Sequence, residues 1–371
     1  MPKALLLITG IFPPDSGGPA KFAMEFGKWA SIQDFQVKIQ TYSDESTKDQ
    51  SFNFFRLGSV SRTHNVFIRY IKMVQAIGIN VASGTHVLSV GAFLETYFAS
   101  IIFRFNYVAK VPGDIVWERA RNSGVTEQNI EEFQNENMTL KYRILRYLYT
   151  RSLRRARIVI VPSMGLYKLC VRWGVSETNL RLIHNSVGGE FNSRDDSVEK
   201  KFDLITVCRL TPWKGVDELI EYASLRNVSL LIIGDGPERE RLETLASSLG
   251  AKVVFEGEVA PQRVFDFLRQ SKLFVLNSYY EGLPHALVEA RVAGVLSVGR
   301  SGTGSEEVIS DDLDGFLIRR DRPLRETLDN ALAIGKESHA MVSKAKYDSS
   351  QRFNKEYNFT AILNETVSDS L

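Results

Sequence analysis

The sequence has few cysteines and almost no excess of charge. Two cysteines in 371 residues, Cys170 and Cys208, are too few for a disulfide framework and lack the spacing of a metal site. The 46 basic and 44 acidic side chains leave a formal net charge of +2, which argues against a dedicated nucleic-acid-binding protein. The five histidines are scattered and form no metal-ligand pair. The composition therefore predicts a globular protein without nucleic-acid partners.

Long apolar runs are also missing. No uncharged run reaches the roughly 18 residues of a transmembrane helix, and the nearest one, residues 87–105, contains Glu95 and Arg104. The apolar run at residues 4–8 is too short for a signal peptide and has no small-residue cleavage site after it. We therefore predict a cytoplasmic protein, with peripheral contact to the inner face of the membrane as the one membrane-related alternative.

Short apolar runs alternate with helix-period segments along nearly the whole chain. Several runs are continuously apolar, as in parallel strands that are covered on both faces. We predict strands at residues 4–9, 36–41, 87–90, 107–111, 158–161, 204–207, 229–233, 252–255, 273–276, 296–298 and 316–318. Alternating strands and helices predict an α/β protein with parallel sheets.

This alternation occurs twice along the chain. A polar stretch, residues 192–201, separates the two series, and the chain is two to three times the usual domain length of roughly 100–200 residues. We predict two doubly wound, Rossmann-like domains that face each other across a cleft. The predicted limits are 1–190 for the first domain, 191–201 for a linker, 202–352 for the second domain and 353–371 for a C-terminal helix. Such sheets bind ligands beyond the carboxyl ends of their strands, which suits a two-substrate enzyme.

Two loops of the second half suggest an anion site. Arg209 and Lys214 follow a predicted strand and can clamp a diphosphate, since arginine offers a planar fork and lysine a point charge. Two solvated surface cations are the alternative. The segment 234–237, Gly-Asp-Gly-Pro, lacks the third glycine of a dinucleotide fingerprint, which favours a structural turn.

The strongest signal follows the predicted strand 273–276. Gly282 lets the backbone approach a ligand, and Pro284 opens a helix whose first amides can face an anion. Glu281 and Glu289 flank this helix start and would repel a phosphate, but they suit hydroxyl groups. A sugar nucleotide combines both features, a diphosphate between two hydroxyl-rich rings. The later loop 301–307 predicts either further backbone donors or a plain capping turn.

In order and spacing these residues resemble the retaining family-4 glycosyltransferases of the GT-B fold. The resemblance covers roughly residues 203–320 closely and the first half more loosely. It rests on Arg209 with Lys214, on segments 234–237, 281–290, 302–308 and 314–315, and in the first half on segments 12–19 and 161–163 and on Asn185.

The resemblance implies roles for individual residues. Arg209 and Lys214 would hold the donor diphosphate and stabilise the leaving group, and Glu281 would bind the transferred sugar. The remaining implied donor-binding residues are Gly282, Leu283 and Pro284 near the phosphates, Glu289 at the ribose, and Gly17 and Gly18 from the first domain. It also implies retention of configuration, no metal, and no cofactor beyond the nucleoside-diphosphate sugar as co-substrate. The C-terminal helix would cross back to the first domain.

The first half departs from the family at one position. Many members carry a histidine after the strand that matches residues 107–111, and here Gly113 occupies that place, in the sequence Gly-Asp-x-x-Trp-Glu. Asp114 and Glu118 become acceptor-side candidates, with a helix cap as the alternative for Asp114. His285 is a candidate substitute for the missing histidine, and packing at a helix start is its alternative.

Charge is distributed unevenly between the halves. Residues 1–185 hold 23 basic and 14 acidic side chains, and the remainder holds 23 and 30. The helical segments 61–79 and 141–157 concentrate basic residues in the first half. They suggest attraction to an anionic membrane surface or to a pyrophosphate-linked lipid acceptor, and solvated helix faces are the alternative.

The sequence thus predicts a hexosyltransferase-type glycosyltransferase (EC 2.4). It would move a sugar from a nucleoside-diphosphate sugar to a glycan, lipid-linked or small-molecule acceptor, as in polysaccharide biosynthesis. Alternatives are a sugar-phosphate synthase, phosphorylase or epimerase on the same fold, or a non-catalytic sugar-nucleotide-binding protein. A nicotinamide oxidoreductase would need a complete Gly-x-Gly-x-x-Gly motif after a strand, which does not occur.

Overall fold

The computed structural model describes residues 3–15, 17–44, 50–51, 53–128, 130–136, 138–186, 198–334 and 338–368. The chain divides into two compact units, Met1–Ile183 with Glu356–Leu371, and His184–Lys355. These limits differ from the predicted ones, 190 and 352, by a few residues. The predicted linker, 191–201, lies mostly outside the described residues.

An eight-stranded sheet forms the centre of the first unit. Its strands are β1 (Ala4–Thr9), β2 (Gln36–Ser43), β3 (Gln50–Ser51), β4 (Arg56–Ser61), β5 (Thr85–Val90), β6 (Val108–Lys110), β7 (Ile158–Val161) and β8 (Leu180–Leu182). The order is β3-β4-β2-β1-β5-β6-β7-β8, and every pair is parallel except β3 with β4. In the centre Leu7 lies opposite Ile39 on one side and Leu88 on the other. The chain reverses its direction of travel across the sheet at β1 and β5, where ligands bind in doubly wound folds.

Seven helices connect these strands within the described part of the first unit. They are α1 (Gly18–Ile32), α2 (Val66–Asn80), α3 (Phe93–Ile102), α4 (Ile115–Asn122), α5 (Ile130–Phe133), α6 (Leu140–Arg155) and α7 (Met164–Arg172). Helix α2 packs against α3, and α3 packs against α6.

The second unit contains a six-stranded sheet that is entirely parallel. Its strands are β9 (Phe202–Val207), β10 (Leu230–Ile233), β11 (Val253–Gly257), β12 (Ser271–Leu276), β13 (Leu296–Arg300) and β14 (Phe316–Ile318), in the order β11-β10-β9-β12-β13-β14. Its helices are α8 (Val216–Arg226), α9 (Arg239–Ser248), α10 (Pro261–Arg269), α11 (His285–Val292), α12 (Leu324–Ala333) and α13 (Ser338–Arg352). Adjacent strand residues Leu204 and Ile205 are both fully buried, in separate apolar clusters. The sheet is therefore covered on both faces, as its continuous apolar runs predict.

The last helix, α14 (Lys355–Val367), is part of the core of the first unit. Phe359 packs edge-on against Phe26 and Trp29 of α1, with ring centroids 5.2 and 5.6 Å apart. Trp29 donates its indole N–H to Glu356 at 2.7 Å, and Arg157 donates to the carbonyl of Glu365, also at 2.7 Å. The end of the chain thus supplies apolar contacts that the first unit does not obtain from residues 1–183.

Each of the eleven predicted strands overlaps an observed one, but the sequence pattern misses β3, β4 and β8. β4 has the sequence Arg-Leu-Gly-Ser-Val-Ser, in which small polar residues hide the apolar period, yet it pairs with β2 over six residues. β8 has three residues and pairs only with β7 at the edge. Among the described helices, none is both long and apolar enough to cross a bilayer.

Candidate active site

Lys214 and Glu281 form an ion pair at the carboxyl edge of the second sheet. The Lys214 Nζ lies 2.5 Å from the Glu281 Oε1, and each side chain is 15% exposed. Lys214 ends a short 3₁₀ turn after β9, and Glu281 lies on the loop after β12, the strand next to β9. The fold thus brings together two predicted catalytic residues that are far apart in the sequence.

Direct contacts hold the two loops together. The Asn277 side-chain amide donates to the carbonyl of Gly215 at 2.8 Å, and the Tyr279 amide donates to the carbonyl of Trp213 at 2.8 Å. Gly215 has a φ of 58°, and a Cβ there would lie 2.6 Å from the Asn277 Nδ2. Only glycine fits this left-handed, crowded position. The loop that carries Lys214 is therefore fixed before any ligand arrives.

Arg209 is exposed on the loop just after β9. Within the described part of the chain, no ion pair involves its guanidinium. The neighbouring backbone is nevertheless fixed, because Cys208 and Leu210 donate their amides to the carbonyls of Ile233 and Asp235 at 3.0 and 2.9 Å. A Cβ on Gly234 or Gly236 would collide with this backbone. Segment 234–237 therefore packs tightly against residues 208–210 and supports the Arg209 loop.

Gly282, Leu283 and Pro284 form the entry to α11. The helix begins at His285, and the Pro284 carbonyl accepts the amides of Leu287 and Val288 at 3.1 Å. Leu283 and Pro284 are buried, and Gly282 is half-buried. The first turn of a helix presents backbone N–H groups that an anion can accept from.

Glu289 lies in the second turn of α11, and a buried ion pair fixes this helix. Arg291 is 1% exposed and donates to both the Oδ1 and the carbonyl of Asp314 at 2.9 Å. Its Nε donates to the Ser349 hydroxyl at 2.9 Å. Asp314, part of the family resemblance, therefore supports the helix that carries Glu289.

The loop 301–307 forms a capping turn. The Glu306 carboxylate accepts the amides of Thr303 and Gly304 at 3.3 and 3.2 Å. The Thr303 carbonyl accepts the Glu281 amide at 2.7 Å. Of the two expectations for this loop, the capping turn is the one observed, and it braces Glu281.

Two further side chains surround this edge of the sheet. His285 contacts the Asn185 side-chain nitrogen at 3.1 Å. Arg300, which the sequence did not single out, donates to Asn277 at 2.5 Å and pairs with Glu218 at 3.1 Å. Its only sequence signal is its position at the end of β13, since the described partners of its guanidinium, Glu218, Asn277 and Tyr279, are all distant in sequence.

The four candidates from the first half lie in the first unit. Gly17 is the residue before α1, and Gly18 is its first residue, so both belong to the turn that leads from β1 into α1.

Asp114 is a buried helix cap. Its Oδ1 accepts the amides of Val116 and Trp117 at 3.0 and 3.2 Å, and its Oδ2 accepts from Gln134 at 3.0 Å and from Arg146 at 2.5 Å. Because both oxygens are engaged inside the unit, the acceptor-side assignment of Asp114 is not supported. The helix-cap alternative describes its position.

Glu118 lies one turn further along α4 and lines a cavity of about 560 Å³. Glu118 as a residue is exposed, but partial desolvation of its carboxylate, and then the negative charge of Asp114, raise its pKa to about 6, while Arg119 opposes this rise. A Cβ at Gly113 would lie 2.4 Å from the Glu118 Oε1, so a larger residue there would make the Glu118 side chain move aside. Among the described residues, no group of three or more His, Cys, Asp or Glu side chains is arranged to hold a metal ion.

Two Rossmann-like sheets with these connections define the GT-B fold. Residues 190–348, which span most of the second unit, match the family described as "Glycosyl transferases group 1". This match covers less than half of the chain.

Two solved structures and one relative in sequence are similar to this chain. Sucrose-phosphate synthase from Thermosynechococcus elongatus superimposes with a TM-score of 0.79 at 16% identity, over 98% of both chains. Anabaena HepE in complex with UDP-glucose superimposes with a TM-score of 0.74 at 18% sequence identity, also over 98% of both chains. An uncharacterized glycosyltransferase of Methanocaldococcus jannaschii is 25% identical over 48% of this chain. The match spans about half of that relative, 51% of its length.

Proposed function

We propose that the protein is a glycosyltransferase that uses a nucleoside-diphosphate sugar as donor. The observation that carries this proposal is the Lys214–Glu281 pair beside the start of α11, within the group 1 domain. A cation next to helix amides suits a diphosphate, and a carboxylate suits sugar hydroxyls. The structure of HepE with UDP-glucose, on the same fold, supports this donor class.

The remaining donor contacts follow from the same edge of the sheet. Arg209 has no ion-pair partner among the described residues and lies on the same loop as Lys214. It is therefore suited to bind the departing diphosphate. Glu289, fixed through Arg291, would bind the ribose hydroxyls. We infer that donor phosphates attract Lys214 away from Glu281 and leave that carboxylate to accept from the transferred sugar. The positive charges would stabilise the leaving group where its negative charge grows.

We further infer transfer with retention and without a metal ion. The bond between the anomeric carbon and the diphosphate oxygen breaks, and its electron pair stays on the diphosphate. The acceptor oxygen attacks from the same face, and its proton passes to the departing phosphate. The anomeric configuration of the product, read by NMR, tests this step, and an inverted product would contradict it. Unchanged activity in excess chelator would support metal independence.

The acceptor would be a glycan, a lipid-linked sugar or a small molecule, reached at the cytoplasmic face of a membrane. Large apolar side chains on neighbouring helices α2 and α3 face outward, with Phe67 75% and Ile79 84% exposed. The others on these two helices and just after α3 are Val66, Ile68, Ile71, Phe98, Ile101, Ile102 and Phe103. Exposed apolar side chains in this number on two neighbouring helices suit an interaction surface.

Exposed cations on α6, which packs against α3, fit an anionic lipid surface. They are Lys141, Arg143, Arg151, Arg154 and Arg155. Sedimentation with anionic liposomes at low and high salt tests membrane contact. Replacing Phe67 and Ile71 with serine should weaken it, whereas no binding of the unmodified protein at low salt would rule it out.

The donor class can be tested by thermal shift with nucleoside diphosphates and nucleotide sugars. A ligand that binds the native state raises Tm by mass action. If none of the compounds raises Tm, the proposal is wrong. Donor turnover with and without candidate acceptors then separates a transferase from a sugar-phosphate synthase, phosphorylase, epimerase or non-catalytic binding protein.

A further inference from the structure

Arg300 lies where β13 ends, at the carboxyl edge of the second sheet, and its side chain is 19% exposed. Its Nη2 donates to the Asn277 Oδ1 at 2.5 Å and pairs with the Glu218 Oε2 at 3.1 Å. Its Cζ lies 4.3 Å from the centroid of the Tyr279 ring, and the Tyr279 hydroxyl donates to Glu218. Asn277 and Tyr279 follow β12, and Glu218 is in the first turn of α8, after β9. Arg300 therefore connects the segments that follow three adjacent strands, β9, β12 and β13.

The contact with Asn277 extends to the loop of Lys214. Asn277 is 1% exposed, and while its Oδ1 accepts from Arg300, its Nδ2 donates to the carbonyl of Gly215 at 2.8 Å. Both bonds belong to one planar amide group, so the bond from Arg300 also sets the direction of the Nδ2 donor. Gly215 directly follows Lys214 in the chain. The guanidinium of Arg300 thus fixes the backbone that carries the Lys214 ammonium.

A second route leads from Arg300 to Glu281. The Arg300 carbonyl accepts the Thr303 hydroxyl at 2.7 Å, and the Thr303 carbonyl accepts the Glu281 amide, also at 2.7 Å. This route uses the backbone of Arg300, so it remains when the side chain is replaced. A substitution of Arg300 should therefore act on the loop of Lys214 more than on Glu281.

The Arg300 side chain supports the Lys214–Glu281 pair without touching it. Among the described residues, no hydrogen bond or ion pair joins the guanidinium to Lys214 or to Glu281. Its Nε is buried and has no hydrogen-bond partner in the described part of the chain. A buried donor without a partner lowers stability, so the guanidinium is not placed for the largest number of hydrogen bonds. The groups that Arg300 holds in place explain its position better than a contribution to stability does.

We propose that Arg300 is a positioning residue for the donor site. Through Asn277 it fixes the backbone beside Lys214, so that the ammonium group meets the donor diphosphate without prior rearrangement. The proposal rests on the proposed function, since it assigns Lys214 to the donor phosphates. A positive charge that is held in place before the reaction stabilises a developing negative charge without a cost of ordering. The loss of Arg300 should therefore slow departure of the diphosphate.

Arg300→Met and Arg300→Lys form a matched pair of variants. Both keep a long, unbranched side chain, but only lysine keeps a cation for Asn277 and Glu218. With the nucleotide sugar that raises Tm most, Arg300→Met should lower kcat per folded molecule about 10–100-fold, because Lys214 is misplaced. Arg300→Lys should keep most of the unmodified rate. Arg320→Met, at an exposed position after β14, is the control and should react normally.

The same substitution in a Lys214→Ala protein distinguishes positioning from a general structural role. If Arg300 acts through Lys214, Arg300→Met should lower the kcat of the Lys214→Ala protein by less than about twofold. An equal fold loss of kcat in both backgrounds would overturn the proposal, and so would an unchanged kcat of Arg300→Met in the otherwise unmodified protein.

Hydrogen exchange of the unliganded, full-length protein needs no donor. In Arg300→Met, the amides of segments 209–216 and 277–281 should exchange about tenfold faster, while exchange in the first unit stays the same. Unchanged exchange in both segments would overturn the proposal. Faster exchange in a protein whose Tm no nucleotide sugar raises would count against the donor, and the support of this loop by Arg300 would stand. Donor turnover that Arg300→Met leaves intact would count against Arg300 alone.

Discussion

Both units place charged groups near the carboxyl edge of a parallel sheet, but on different elements. In the second unit Lys214 and Glu281 lie on loops directly after β9 and β12. In the first unit Arg69 and Glu95, which line the same cavity as Glu118, lie on helices α2 and α3. Loop residues are fixed by nearby glycines and backbone contacts, so their motif is visible in the sequence. Helix residues reach a common cavity only through the packing of several helices.

The units also differ in how their charge is used. The excess of basic residues in the first half is not in the cavity, which holds equal numbers of arginines and carboxylates. Two cations of the basic segment 141–157 are engaged inside the unit, since Arg146 pairs with Asp114 and Arg157 bonds to carbonyls of α14. The remaining cations of α6 face outward. A charge count by halves therefore describes a surface and not a binding site.

The largest effect should come from breaking the buried ion pair that fixes α11, the helix beside the proposed donor site. Asp314→Ala leaves the buried Arg291 charge without its partner and should lower the free energy of unfolding by about 3–5 kcal/mol. Urea denaturation measures this loss. Asp321→Ala, an exposed carboxylate on the same unit, should stay within about 0.5 kcal/mol. Equal effects of the two changes would contradict the supporting role of Asp314.

The next largest effect concerns catalysis. Lys214→Ala removes a positive charge from the proposed diphosphate site and should lower kcat about 10²–10³-fold. Initial-rate kinetics with a nucleotide sugar measure the loss. The exposed Lys252→Ala serves as the matched control and should react normally. An active Lys214→Ala variant would remove the main argument for a donor site on this edge.

A smaller effect is expected in the core of the first unit, where the C-terminal helix α14 packs. Phe359→Leu keeps an apolar group but loses edge-on contacts with Phe26 and Trp29, so the free energy of unfolding should fall by about 1 kcal/mol. Chemical denaturation followed by tryptophan fluorescence measures it. Tyr357→Leu, at an exposed position of α14, is the control. If Phe359→Leu has the same free energy of unfolding as the unmodified protein, α14 contributes little to the stability of this core.

The smallest effect should be a pH dependence of stability. The pKa of Glu118 is raised to about 6, so the folded state holds its proton more tightly than the unfolded chain does. The resulting stabilisation is complete below the ordinary pKa of glutamate and disappears as pH rises through about 6. Glu118→Gln should remove this pH-dependent part. Urea titrations across that range measure it, and identical pH profiles of the two proteins would refute the shift.

Much of the fold and of the proposed donor site can be predicted from the sequence. The continuous apolar runs gave the positions of eleven strands, and the glycine, proline and carboxylate pattern after β12 marked the loop beside α11. The spacing also drew attention to Lys214 and Glu281, which the structure pairs. The sequence pattern does not predict β4, because small polar residues break its apolar period. It offers Asp114 either as an acceptor-side residue or as a helix cap, and the structure shows the cap, with Arg146 paired to the same carboxylate.

Short-range sequence patterns therefore determined the strands, the loop motif and the fold class, because each of these depends on residues that are close together in the chain. Only the tertiary structure decided which polar groups are engaged and which line a cavity. Arg300, Glu95 and Arg69 have no local motif, and their neighbours come from distant helices and strands. Burial and partner choice are properties of the packed molecule, which is why Asp114 became a cap and Glu95 a cavity wall.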